Sequence, residues 1–103
     1  MAYILCRLIA PRPTFPADMN AAEGEAMAAH GAYWAREAQA GRAIAVGPVL
    51  DPAGAWGLAL VEAADLEAAR ALTRADPIVT AELGFRYDHL PVPSLILRGQ
   101  PAA

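Results

Sequence analysis

A chain of 103 residues and 10.8 kDa, 56% apolar and 18% charged with a mean hydropathy of +0.27, has material for one hydrophobic core and no room for a second domain. That balance excludes the charge-rich, hydrophobe-poor class of disordered chains, and no run approaches the roughly 18 apolar residues that a membrane span needs. The net charge of −3, with eight arginines scattered from Arg7 to Arg98, excludes the basic stripe of a nucleic-acid or anionic-membrane surface.

Tyr3 to Ile9 is short and rich in strand formers. Alternation puts Ile4, Cys6 and Leu8 on one face and Tyr3, Leu5, Arg7 and Ile9 on the other, which predicts a first strand. Pro11-Arg12-Pro13 through Pro16 removes amide donors and fixes φ, so a loop follows. From about Asn20 to Ala40 the chain is alanine-rich and proline-free, with Glu23 and Glu25 where a helix dipole favours anions and Gly41 as the C-terminal cap. On a helical wheel Met27, Gly31, Trp34 and Ala38 share a face predicted to be buried, and His30 lies at its border, roughly 60° from the centre.

Ala43–Val49 and Trp56–Glu62 read as a hairpin whose connection, Gly47-Pro48 through Gly54, carries turn residues. Asp65 is an N-cap for a helix over Leu66–Ala75 with Leu66, Ala69, Leu72 and Thr73 on one face. Asp76-Pro77 places a cap and a first-turn proline at the start of a short helix to about Leu83, closed by Gly84. Phe85 to Leu90 predicts a last strand reaching toward Leu97, and 99–103 a flexible tail after a single domain over 1–98.

The order is βαββαβ, an α+β ferredoxin-like pattern in which an antiparallel sheet carries two helices on one face. The early strands are nevertheless apolar on both faces, so something must cover the second one. A homodimer closing two sheets into a dimeric α/β barrel is the simplest cover.

The residue inventory narrows the chemistry. Lysine is absent, which excludes a Schiff base, a pyridoxal phosphate anchor and a P-loop. Ser94, the sole serine, lies in Val92-Pro93-Ser94-Leu95 and forms no nucleophile elbow. Cys6 has no partner for an intrachain disulfide, and the two histidines stand far apart, so no metal and no cofactor are expected. The start Met1-Ala-Tyr-Ile-Leu-Cys-Arg7 has neither a basic n-region nor a cleavage site, which makes a cytoplasmic protein the expectation.

One ordered combination carries a resemblance. His30 is followed eleven positions later by Gly41, then by Gly47-Pro48, a glycine turn, Glu62-Ala-Ala-Asp-Leu-Glu-Ala-Ala69 and Ala75-Asp76-Pro77. Across nearly its whole length the chain resembles the YciI-like, or YCII-related, family. The resemblance implies a dimeric α/β barrel and a His-Asp pair as the active site, which fall here on His30 and Asp76. It also implies a reaction class, since relatives include a dehydrochlorinase of a chlorinated hydroxyquinol and the broader fold includes muconolactone isomerase: cofactor-free proton transfer on small rings. The Arg12-Pro13-Thr14-Phe15 loop, the Tyr33-Trp34 pair and the segment Glu82 to Tyr87 look particular to a subgroup.

Each candidate has a plainer reading beside the chemical one. His30 is a general base, because imidazole exchanges protons near neutral pH, or a helix histidine half covered at a barrel edge. Asp76 orients and charge-stabilises His30, or only caps a helix; one carboxylate can do both with its two oxygens. Arg12 offers a bidentate contact to a substrate carboxylate or phenolate, or is a solvated loop arginine. Tyr33, Trp34 and Trp56 line an aromatic pocket, or pack in the core. Tyr87 and His89 share one strand face as interior polar packing. The leading expectation is a cofactor-free lyase or isomerase acting on an aromatic or lactone-like metabolite, with His30 and Asp76 catalytic and Arg12, Tyr33 and Trp34 binding substrate. The alternatives are a non-catalytic small-ligand binding or sensing module and a structural dimerisation domain.

Overall fold

The structure, a computed structural model, describes residues 1–99. At the centre of its sheet lies β1 (Ala2–Ile9), followed by α1 (Ala21–Gln39), β2 (Ala43–Val49), β3 (Trp56–Ala63), α2 (Leu66–Arg74), α3 (Pro77–Thr80) and β4 (Arg86–Val92). The fold is α+β: four strands, every neighbouring pair antiparallel, in the order β2-β3-β1-β4. Among the described residues no helix is long and apolar enough to cross a membrane.

β1 takes the central place because it pairs along almost its full length with both β3 and β4. Its alternation works as the sequence predicts: Ile4, Cys6 and Leu8 are buried under the helices, next to Val61 and Ala59 of β3 and to His89 and Tyr87 of β4. Ile4, Cys6, Val61, Trp34 and Ala69 belong to one core cluster, while Leu8, Phe15, Ala26, Ile78 and Phe85 form a second one nearer the proline loop. On the opposite face Leu60, Leu5 and Leu90 stand in register across three strands. Next to them Arg7 reaches its cross-strand neighbour Asp88 at 3.0 Å.

The helices start where capping chemistry puts them. Asn20 and Glu23 form a reciprocal capping box on α1, Asp65 accepts from the Ala68 amide, and Asp76 precedes Pro77 at the start of α3. Gly84 holds φ +92°, and a Cβ there would stand 3.0 Å from the Pro11 side chain, so the turn after α3 needs glycine on two counts.

Four expectations need correction. The short helix covers only Pro77–Thr80 and stands as a third helix, where the expected plan has two. The last strand ends at Val92 rather than near Leu97: Val92 already pairs with Tyr3, next to the first residue of β1, and Pro93 has no amide to donate. Phe85 lies outside the strand and packs edge-on against Phe15, with ring centroids 5.1 Å apart. The stripe Met27, Gly31, Trp34 and Ala38 is not the buried face of α1; the buried residues are Glu23, Ala26, Trp34 and Glu37, and Gly31 and Ala38 are exposed. Both buried glutamates are neutralised by arginines, Glu23 by Arg12 and Glu37 by Arg42, a pairing that no periodicity encodes. Of the tail expected over 99–103, all but Gly99 lies outside the described residues.

Candidate functional site

Asp76 is fully buried and is the convergence point of α1, α3 and β4. Its Oδ1 accepts the Ile78 amide at 3.0 Å and so caps α3. Its Oδ2 receives three side chains: His30 Nδ1 at 2.8 Å, the Trp34 indole N–H at 2.8 Å and the Tyr87 hydroxyl at 2.5 Å. The indole N–H also lies 3.1 Å from the Tyr87 oxygen, which ties the two neutral donors to each other. Burial alone pushes the Asp76 carboxyl up, but the bonds from His30, Tyr87, the Ile78 amide and Trp34 outweigh it and hold the group below its ordinary value. Burial and the adjoining carboxylate push the Tyr87 phenol the other way, so it stays a neutral donor.

An ionised carboxylate is an acceptor only. The proton shared between Asp76 and His30 therefore sits on Nδ1, and neutral His30 carries its lone pair on Nε2. The His30 side chain is 13% exposed and contributes to the wall of a cavity of about 540 Å³. Met27, Gly31, Trp34 and Ala38 line the same cavity together with Phe15, Phe85 and residues of the β2–β3 hairpin. Apart from Trp34, which is also part of the core, the apolar stripe of α1 thus borders an open volume, and a wheel reads it as core because both environments ask for apolar side chains. A histidine with Nδ1 on a buried carboxylate and its side chain in the wall of an apolar cavity is an arrangement chemically able to transfer a proton.

The remaining expected site residues divide. Trp34 does line the cavity, and its polar edge is used on Asp76. Tyr33 lies away from the cavity: its hydroxyl donates to the Leu72 carbonyl at 2.6 Å and ties α1 to α2. Arg12 also stands outside the cavity wall, with a fork of two 2.7 Å bonds to Glu23 and further bonds to the Asp18 carboxylate and carbonyl. Its guanidinium lies 6.0 Å from the Phe15 ring, so this arginine fixes the loop that presents Phe15 to the cavity. Under that double clamp, led by the bonds from Arg12, the Glu23 carboxyl is held down at about 2.

Tyr87 is the member of the network that a linear reading misses as functional. Strand alternation puts it on the helix-covered face, but only the β1–β4 register and the loop after α3 aim its hydroxyl at Asp76. His89, two residues on, lies 2.8 Å from the Thr73 hydroxyl and takes no part in this cluster; burial, reinforced by Arg70, holds its ring below the usual histidine range. Cys6 is buried, which pushes its thiol up to about 11 and makes it unreactive. Among the described residues no three of His, Cys, Asp and Glu converge as metal ligands.

A search of curated proteins finds no match to the chain. The model of the YCII-related domain matches residues 3–92, which run from the first strand to the last residue of β4 and include His30, Asp76 and Tyr87. By that match over most of its length, the chain belongs to the YCII-related domain family.

Proposed function

We propose that the protein is a cofactor-free enzyme that moves a proton on a small ring compound, as a lyase or isomerase, with His30 as the acid–base group. The observation that carries this reading is the 2.8 Å contact between His30 Nδ1 and a fully buried Asp76, at the wall of an apolar cavity. Nε2 takes a proton from the bound compound, and the imidazolium that forms is stabilised by the Asp76 carboxylate behind it. The proton returns to a different atom of the compound in an isomerisation, or follows a leaving group in an elimination. Trp34 and Tyr87 keep Asp76 in place while the ring changes charge. The work is done in the cytoplasm, where a lone buried thiol such as Cys6 stays reduced.

The test is deuterium exchange. Uncharged enolisable rings such as 2-tetralone and polyhydroxylated benzenes are incubated in D2O with the protein and with His30→Asn. Exchange should exceed the buffer rate in the first and fall by at least about 100-fold in the second. Equal rates with both proteins would sink the reading. A second reading, a binding or sensing module without catalysis, is favoured by the Ile78 amide on Asp76 Oδ1, because a capped and saturated carboxylate also has a purely structural use. That module predicts saturable ligand binding with no exchange.

The strand order β2-β3-β1-β4 is that of a ferredoxin-like fold, here as one domain over residues 1–98. Two copies pair through the face that carries Leu5, Leu60 and Leu90 to make a dimeric α/β barrel, which removes that apolar row from water. Sedimentation at micromolar concentration should give about twice the chain mass. A monomer there would end the barrel proposal and leave the His30 chemistry to be judged separately.

A further inference from the structure

The cavity is selective by what its wall lacks. Its polar side chains are His30, Trp34, Tyr87 and Trp56, whose indole N–H is given to Asp51, and the described residues bring no arginine to it. The Trp34 N–H and the Tyr87 O–H both point at Asp76, so neither is left for a ligand. What remains is one acceptor, Nε2 of His30, in surroundings made of Phe15, Phe85, Met27 and the indole of Trp34. Arg12, 6.0 Å from the ring of Phe15, is committed to two carboxylates, and Arg7, 5.6 Å from the ring of Trp56, is paired with Asp88; neither lines the cavity. Protonating His30 supplies no counter-charge either, because imidazolium and the Asp76 carboxylate together are neutral.

An anion entering such a volume leaves water and gains no cation, the costliest kind of burial. A neutral ring with a hydroxyl, an N–H or an acidic C–H meets aromatic walls with its body and the single acceptor with its proton. We propose that the cavity selects uncharged ring compounds that present one proton-donating group and rejects carboxylates and phosphates of the same shape. This deepens the proton-transfer reading and rests on it for the role of His30. It decides between the two kinds of substrate that the sequence leaves open, favouring a phenol-like or enolisable ring over a lactone that carries a carboxylate.

The matched pair 2-naphthol and 2-naphthoate tests this, since the two share a ring system and differ in charge at pH 7. Calorimetric titration of the full chain should give at least about tenfold tighter binding for naphthol. Ala35, an exposed residue of α1 on the cavity wall, offers the complementary test: Ala35→Arg brings a guanidinium to the rim. It should strengthen naphthoate binding by about tenfold and leave naphthol within about threefold. Equal or tighter naphthoate binding by the unaltered protein overturns the proposal. So does binding of neither compound, or a naphthoate affinity that Ala35→Arg does not raise. Selective naphthol binding without His30-dependent exchange would remove the catalytic reading and leave the selectivity standing. His30-dependent exchange beside unselective binding would do the reverse.

Discussion

Glu23 and Asp76 are two buried carboxylates at the starts of two helices, and both are held below their ordinary pKa, yet the chain neutralises them by different means. Glu23 faces Arg12, a guanidinium that never gives up its proton, through two parallel 2.7 Å bonds. Asp76 faces two neutral donors and one histidine, a side chain whose ring can both give and take a proton. A permanent cation turns a carboxylate into a fastener, here for the loop that carries Phe15. A histidine leaves it able to stabilise an imidazolium, the role it has in the proposed reaction. The comparison teaches that the function of a buried acid is read from the protonation range of its partner more than from its own depth.

The largest effect should come from removing the acceptor at the second acid. Asp76→Ala takes the acceptor from the Ile78 amide and the phenol and leaves the indole only its 3.1 Å contact to Tyr87, and urea unfolding should register a loss of about 3–5 kcal/mol. Asp76→Asn keeps an oxygen for the cap and should lose less than half of that. A loss near 1 kcal/mol for the alanine variant, the ordinary value of an N-cap, would reduce Asp76 to a cap and dissolve the comparison.

Tyr87→Phe comes next. It takes away one donor to Asp76 and should cost about 1–2 kcal/mol in the same measurement. The Asp76 carboxyl should move up toward the usual range, observable by carbon NMR, because one of the bonds that oppose its desolvation is gone. No movement would mean that the phenol does not help to hold the charge.

The smallest effect lies in acid and belongs to the first acid. With the folded Glu23 carboxyl at about 2 against an ordinary 4.5, the folded chain binds fewer protons than the unfolded one between those values. This stability is complete above about 4.5 and is lost as the pH falls toward about 2. Thermal unfolding between pH 5 and pH 3 should therefore depend less on pH in Glu23→Gln, while the share from the likewise lowered Asp76 remains. An unchanged slope would show that the Arg12 fork does not hold Glu23.

Much of the frame was legible because it depends on neighbours in sequence. The alternation of Ile4, Cys6 and Leu8, the caps at Asn20, Asp65 and Asp76, and the proline after Asp76 act within a turn or a strand, where period and capping chemistry are readable one residue at a time. The ends of β4 were less so, since β4 stops at Val92, opposite Tyr3 near the start of another strand. Nor did the wheel reveal that the α1 stripe borders a cavity, because an apolar surface has the same composition whether it meets a leucine or an open volume.

By itself the sequence determined the order of the four strands and the two longer helices, the residue types available for chemistry and, through the spacing from His30 to Asp76-Pro77, the family. Only the tertiary structure decided which of them meet. It brings His30 and Asp76 to 2.8 Å across 46 positions of chain, adds Tyr87 as a further donor and withdraws Arg12 to Glu23. The reason is that a hydrogen bond acts over about 3 Å and is blind to separation along the chain, so its partners are chosen by how α1, α3 and β4 pack.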